Sequence, residues 1–286
     1  MNENEKNAVV GGTLYLVGTP IGNLADLSER AVKVLSEVDF IAAEDTRNTA
    51  RLLAYLGIRK PLVSYHDHNR SERGETLITR LEAGESCALV SDAGMPGISD
   101  PGEDMVKLCA EKNIPVTVIP GPCAAICALV LSAIPCGKFV FEGFLSAKKS
   151  ERRASLEAYK NEKKTVIFYE APHKLRASLD DMLDIFGAER RISLCRELTK
   201  LNEEIMRTDL GHAVEYYRAV EPRGEYVLVL EGCAESSVAD FWKDMDEIAH
   251  VQHYMSTGMT KNEAIKAAAK DRGVHKNDVY RKLIDS

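Results

Sequence analysis

SDAGMPGISDPG, residues 91–102, is the stretch on which the reading of this chain turns. The apolar run Cys87-Ala88-Leu89-Val90 leads into it, and a helix-like segment opens near Glu103. Three glycines and two prolines in twelve residues rule out regular structure between that strand and that helix. Glycine carries no Cβ, so such a loop lets backbone close on a ligand. In an open α/β sheet, ligands bind beyond the carboxyl ends of the strands. The same composition also suits a surface turn in which Asp100 caps the next helix. Composition leaves both readings open.

Working outward, β-rich apolar runs at 13–17, 40–43, 62–65, 88–91 and 116–119 alternate with amphipathic stretches at 29–37, 47–56, 75–83 and 103–112. This alternation predicts a largely parallel sheet covered by helices. Pro120-Gly121-Pro122 ends it, and an apolar helix at 124–133 leads into a second set. There, 139–144, 165–169, 192–196, 204–208 and 226–230 read as strands, with helices at 149–160, 173–186 and 210–219. The runs at 192–196 and 204–208 leave too little chain between them for a crossover helix, which predicts antiparallel pairing in a mixed sheet. The expected organisation is an α/β fold with α/β domains at 12–121 and 122–232 and a small helical domain at 238–286. In that tail, 241–257 reads as a helix anchored by Trp242. Thr260-Lys261-Asn262-Glu263 matches a capping box. Ile265, Ala268 and Ala269 form a stripe ending at Gly273, and a last helix follows at 276–284. Two helices about a tight glycine turn fit a helix-turn-helix or a plain helical hairpin.

With 286 residues, 45% hydrophobic and 28% charged, the chain has the make-up of a soluble globular protein with a sizeable core. Its longest apolar stretch, 123–134, falls short of the ~20 residues that span a bilayer. MNENEKNAVV has no signal-peptide core, so a cytoplasmic protein is expected. Seven cysteines, at 87, 109, 123, 127, 136, 195 and 233, are odd in number and include no Cys-x-x-Cys pair. Buried free thiols explain them better than disulfides or structural zinc. The net charge of −7 divides into +3 over residues 256–286 and −10 over the rest. A mildly basic tail on an acidic body either contacts phosphate or is a solvated helix face.

The other strand ends carry the polar chemistry. Gly18-Thr19-Pro20-Ile21-Gly22-Asn23 is neither GxGxxG nor GxxxxGK[ST], so dinucleotide and P-loop assignments fail; it lines a cleft or forms a tight turn. Glu44-Asp45-Thr46-Arg47 places two carboxylates and a guanidinium at a strand-to-helix junction, where a helix cap and substrate handling can coexist. His66 and His68 flank Asp67, but no Cys or His cluster completes a metal site, and no metal is expected. Polar groups facing a hydroxylated substrate fit that loop better. Gly121-Pro122-Cys123-Ala124-Ala125 and Tyr169-Glu170-Ala171-Pro172-His173 both follow strands and open helices. Glu170 and His173 are acid–base candidates, or parts of packing turns.

Taken in order, VGTPIGNLAD, AAEDTRNT, SYHDHN, LVSDAGMPGISDPG, VIPGPCAA, FYEAPHKL and GEYVLVLEG resemble the tetrapyrrole-methylase superfamily across 12–232. Within it they look like the branch of small-subunit ribosomal RNA (cytidine-2′-O)-methyltransferases. TKNEAIKAAAKDRGVHKNDVYRKL resembles that branch's C-terminal helical domain. The resemblance implies two α/β domains of tetrapyrrole-methylase type with S-adenosyl-L-methionine in the cleft between them, a homodimer, and methylation of a cytidine ribose in the decoding region of 16S rRNA. Asp92, Ala93, Gly94, Met95 and Ile98 would line the cofactor pocket, with Thr19 and Pro20 from the first loop. Cys123 and Ala124 match the next element; many relatives carry Ser at the first position, so Cys123 supplies a weaker hydrogen bond. Tyr169, Glu225 and Tyr226 would approach from the second domain. Relatives that methylate porphyrins carry GxGxGD where this chain has GTPIGN, which counts against a tetrapyrrole substrate.

RNA contacts would come from Arg47, His66, His68, Lys148, Lys149, Arg152, Arg153, Lys276 and Arg281, although KKSERR also suits a solvated helix start. A ribose hydroxyl benefits from a base. Asp45 and Glu170 stand ahead of His173, because each follows an apolar strand whose burial raises a carboxyl pKa; Asp92 is read as orienting the cofactor. The alternatives are a tetrapyrrole or protein methyltransferase of the same superfamily, or a non-catalytic RNA-binding assembly factor.

Overall fold

Five short apolar strands, β1 (Leu14–Val17), β2 (Phe40–Ala43), β3 (Leu62–Ser64), β4 (Cys87–Val90) and β5 (Val116–Ile119), pair in parallel in the order β3-β2-β4-β1-β5. In this computed structural model, residues 8–233, Trp242 and residues 245–284 are described. Every residue of β2 and β4 is buried, which is why these strands read as unbroken apolar runs rather than as alternating patterns. The connecting helices are α1 (Glu29–Glu37), α2 (Thr46–Tyr55), α3 (Arg70–Glu82) and α4 (Glu103–Glu111). Leu14, Phe40, Leu77, Leu89 and Met105 build the core on one face of the sheet; Tyr15, Val17, Leu35, Ile41 and Val90 build it on the other. The helix α3 begins at Arg70, five residues before the expected 75. Its first turn, Arg-Ser-Glu-Arg, is wholly polar and gives hydrophobic periodicity nothing to detect.

The apolar helix α5 (Ala124–Leu131) leads to a mixed sheet of β6 (Phe139–Phe144), β7 (Thr165–Glu170), β8 (Arg191–Arg196), β9 (Glu204–Asp209) and β10 (Tyr226–Leu230). Its order is β6-β7-β10-β8-β9, with β6 and β7 parallel and the other pairs antiparallel, including the expected β8–β9 pair. α6 (Lys149–Ala158), α7 (Pro172–Phe186) and α8 (Leu210–Ala219) cover one face through Leu156, Leu179, Met182 and Val214. On the other face, Ile167, Cys195, Val227 and Val229 pack with Ala125, Ala128 and Leu129 of α5. Both sheets belong to one compact unit, residues 1–232, and residues 233–286 form a second.

The second unit holds α9 (Glu247–Ser256), α10 (Lys261–Arg272) and α11 (Lys276–Ile284), packed about Val251, Ala264, Ile265, Ala268 and Val279. The capping box at Thr260 and Glu263 forms as expected, and Gly273 ends α10 in the left-handed region. The helix expected at 241–257 begins only at Glu247, because the Asp246 carboxylate caps it by accepting from Ala249 N at 2.7 Å. Phe241 lies outside the described residues. Trp242 stacks on His250, ring centroids 5.7 Å apart, beside the core cluster rather than within it. Among the described residues, no helix is long and apolar enough to cross a membrane. Cys87, Cys109 and Cys195 are buried thiols, whereas Cys136 is exposed, against the expectation of buried thiols.

Candidate active site

The site is built where the carboxyl ends of β1, β4 and β5 converge. Gly18 and Gly121, just past β1 and β5, pack back to back; a Cβ on Gly18 would stand 2.7 Å from the Gly121 Cα. The loop after β1 is stitched to residues 91–102. Thr19 N donates to Gly94 O at 2.9 Å, Gly94 N donates to Thr19 O at 3.1 Å, and the Thr19 hydroxyl donates to Ser91 O at 3.2 Å. Gly94 sits at φ +85°, a conformation that other L-residues rarely adopt. The 91–102 segment is thus a fixed wall rather than a surface turn. Asp100 caps nothing, since α4 opens at Glu103 with Gly102 as its N-cap. Ala93, Gly94, Met95 and Ile98 line a cleft of about 430 Å³, joined by Ile21, Cys123 and Ala124.

The mixed sheet supplies the opposite wall through Phe144, Tyr169, Tyr226 and Val227. The Tyr169 ring meets Phe141 edge-on, centroids 5.0 Å apart, and its hydroxyl accepts from Ala125 N at 3.2 Å. This contact ties β7 to the first turn of α5. Burial holds the Tyr169 phenol well above its ordinary pKa, so it stays protonated.

Charge in the cleft is mostly negative. The Asp92 carboxylate accepts from Asp45 N at 3.1 Å and from Asn48 Nδ2 at 2.8 Å, which ties the wall to the start of α2. Glu44 accepts from Asp92 N at 3.3 Å. Burial raises the Glu44 pKa, and the neighbouring Asp92 charge adds to the rise. Burial, with the Glu44 charge beside it, pushes Asp100 up to about 6. Elsewhere in the lining, Lys200 bridges Glu197 at 2.9 Å and Glu225 at 2.7 Å.

Several expected site residues have other tasks. Asp45 lies outside the cleft lining; it caps α2 and holds Arg47 at 2.6 Å, and the hydrogen bonds from Arg47 hold its pKa at about 2, too low for a base. Glu170 borders the cleft, but one carboxylate oxygen takes Ala171 N at 2.8 Å and Lys174 Nζ at 3.0 Å, and the other takes the Ser178 hydroxyl at 2.5 Å. It braces α7, with donors on both of its oxygens. Thr19 and Pro20 do not line the cleft; Thr19 acts through its bonds to Gly94, and Ile21 is the loop residue that reaches in. Arg152 is buried against Asp181 at 2.7 Å and donates to the carbonyls of Ser146 and Ala147, so it is unavailable to RNA. The helical period explains this: Arg152 and Leu156 share the inward face of α6.

The remaining residues fall as follows. Asp92, Ala93, Gly94, Met95, Ile98, Cys123, Ala124, Tyr169, Glu225 and Tyr226 meet in one cleft. Arg47 holds Asp45, yet its side chain is 84% exposed. His68 and Lys149 are exposed, and His66 is half-buried. Lys148 pairs with Glu151, and Arg153 pairs with Asp181 and Asp184. Lys276 and Arg281 are exposed on α11. The sequence did not single out Glu44, Phe144 and Lys200 as cleft residues, and of the two readings it left open for Asp100 the helix cap is the one that fails. The signal for Glu44 was its place directly after the fully buried β2.

Compared with known proteins, the chain matches the family model of the Tetrapyrrole (Corrin/Porphyrin) Methylases over residues 13–214. The chain belongs to this family. As a tetrapyrrole methylase it is 49% identical over 271 residues to the ribosomal RNA small subunit methyltransferase I of Halalkalibacterium halodurans, covering 94% of this chain and 93% of that one. It is 46% identical to the protein of the same name from Bacillus subtilis, with the same coverage. Among solved structures it shares the fold of the uroporphyrin-III C-methyltransferase from Thermus thermophilus complexed with S-adenyl homocysteine. That match has a TM-score of 0.55 at 18% identity and covers 80% of this chain and all of that one.

The residues present suit a sulfonium nucleoside. The apolar and aromatic lining from Ile21, Ala124, Phe144, Tyr169 and Val227 accepts an adenine ring. Glu44, Asp92 and Asp100 complement a cation. Among the described residues, no group of His, Cys, Asp and Glu is placed to hold a metal ion.

Proposed function

We propose that this tetrapyrrole methylase is an S-adenosyl-L-methionine-dependent methyltransferase that methylates the ribose 2′-oxygen of a cytidine in the decoding region of 16S rRNA. The observation that carries the reading is the cleft itself, with an apolar and aromatic lining and a carboxylate-rich rim at the carboxyl ends of a parallel sheet. Relatives named ribosomal RNA small subunit methyltransferase I, 41–49% identical over nearly all of the chain, support the acceptor. The cofactor supplies an already activated methyl group, so the protein's work is orientation, exclusion of water and proton handling. The backbone at Ala93, Gly94 and Met95 and the Tyr169 ring hold the nucleoside, and Asp92 fixes the loop against α2. Arg47, His66, His68, Lys148, Lys149, Arg153, Lys276 and Arg281 are the RNA-facing candidates; among the described residues Lys149, Lys276 and Arg281 are exposed and form no ion pair. A ribosomal substrate places the protein in the cytoplasm. Exposed Ile126 and Val130 on the wholly apolar α5, and exposed Val118 on the edge strand β5, are apolar side chains that a homodimer would cover.

The test is transfer of labelled methyl groups from S-adenosyl-L-methionine to small ribosomal subunits from a strain lacking this enzyme. Label in 16S rRNA is the expected result; label confined to protein or tetrapyrrole, or no transfer, would overturn the proposal. Asp92→Ala removes a carboxylate with two donors, interactions worth about 1.5–3 kcal/mol when charged, so cofactor affinity should fall at least about tenfold by calorimetry. Deleting residues 233–286 should leave cofactor affinity within about twofold, because the cleft lining ends at Val227, and should weaken binding to small subunits about tenfold or more.

A further inference from the structure

We propose that Asp100 is the general base that takes the ribose hydroxyl proton during methyl transfer. The inference rests on the ribose methylation proposed above.

Six acidic residues border the cleft, and four are committed. Glu170 is held by Lys174 and Ser178, Glu197 and Glu225 share Lys200, and Asp92 is held by Asn48 and the Asp45 amide. Glu44 and Asp100 are left, and Glu44 accepts from the Asp92 amide. Among the described residues Asp100 has no ion-pair partner; the nearby Ser91 hydroxyl donates to the Ala93 carbonyl at 3.4 Å and lowers the Asp100 pKa less than burial raises it. Its position is rigid. Ser99 before it is held at φ +64°, a conformation that non-glycine residues adopt at an energetic cost, and Pro101 after it fixes the chain. The Ser99 hydroxyl lies 3.2 Å from where a Cβ on Gly143 would stand, so the loop abuts the bulge of β6 in the second sheet. Asp100 is therefore presented from one wall while its loop is buttressed by the other.

In the step, a lone pair on the ribose oxygen forms the new C–O bond as the S–CH₃ bond breaks, and that bonding pair stays on sulfur. The hydroxyl proton passes to the Asp100 carboxylate and leaves to water after turnover. A general base works best with a pKa near the operating pH. The groups that set the Asp100 pKa are Glu44 after β2, Asp67 after β3, Asp92 on its own loop and the Ser91 hydroxyl, and Tyr169 faces it from β7. Burial and these negative charges keep it at about 6, so it is ionised and able to accept at pH 7.

The experiment measures methyl transfer to small subunits against pH for wild type, Asp100→Asn and Glu44→Gln, together with S-adenosylhomocysteine affinity and melting temperature. The wild-type rate should rise through pH 6 and level off above it. Asp100→Asn should lose about 10²–10⁴-fold in rate and the pH 6 limb while keeping product affinity within about threefold. Glu44→Gln should keep the limb, displaced to lower pH by loss of the neighbouring charge. Melting supplies a readout independent of turnover. The folded pKa lies above the unfolded value of 3.8, so the stabilisation of protonated Asp100 is lost as pH rises from about 4 through about 6. Asp100→Asn should therefore melt above wild type at pH 8, with the gap closing below pH 4. An Asp100→Asn rate within about threefold of wild type, a retained limb in that variant, or no melting gap at pH 8 would overturn the assignment. Failure of wild type itself to methylate small subunits would instead defeat the proposed function.

Discussion

Arg152→Ala is expected to lower the stability of the first unit by about 3 kcal/mol, near the lower end of the cost of breaking a buried ion pair. The side chains of Arg152 and Asp181 are 5% and 3% exposed and meet at 2.7 Å. Removing the guanidinium strands a buried carboxylate and orphans the carbonyls of Ser146 and Ala147. Arg153 still reaches Asp181 at 2.8 Å, which keeps the loss from the top of the range. For a unit of this size the melting temperature should fall by about 6–12 °C. The refolded variant should bind small subunits with an unchanged salt dependence. A stable variant whose salt slope drops by about one would return Arg152 to the RNA interface.

Gly18→Ala should damage the cofactor site more than any surface change. The added methyl would stand 2.7 Å from the Gly121 Cα and 2.7 Å from the Met95 sulfur. Met95 can turn aside, but Gly121 is backbone in the loop after β5 and cannot. The strain, about 1–3 kcal/mol, is relieved only by prising the loops of β1 and β5 apart, which moves the wall stitched to Gly94. A loss of about tenfold or more in S-adenosyl-L-methionine affinity is expected by calorimetry. Wild-type affinity in a folded Gly18→Ala would show that the convergence of these loops does not shape the site.

How much was legible in the sequence depended on how directly each residue expressed its environment. Strands such as Phe-Ile-Ala-Ala at 40–43 and Tyr-Val-Leu-Val-Leu at 226–230 are buried on both sides, so composition alone located them. The polar first turn of α3 and the cap at Asp246 carried no apolar period, and those boundaries shifted. The cleft's small residues were legible because Gly94 and Ala93 have one evident use at a strand end. Charged residues were not, since a carboxylate's role depends on which of its potential partners the fold turns toward it, near or far in sequence. Glu170 meets Lys174 and Ser178 across one helical turn or more, Arg152 meets Asp181 across 29 positions, and Asp100 feels Glu44 across a sheet. Asp45 and Glu170 looked like bases because they follow buried strands, yet Arg47 and Lys174 neutralise them. Glu44 and Asp100 keep raised pKa values with no cation beside them, and for Asp100 composition allowed a helix cap as readily as a place in the cleft.

Nucleoside mass spectrometry reads methyl transfer from this cleft to a cytidine ribose of the small subunit without intermediate steps. Small subunits lacking the modification are incubated with enzyme and S-adenosyl-L-methionine, and the 16S rRNA is digested to nucleosides. The expected product is a cytidine carrying the added methyl on its ribose, formed by wild type and absent with Asp92→Ala at limiting cofactor. A methyl on the base, or an unmodified 16S rRNA with active enzyme and cofactor present, would contradict it.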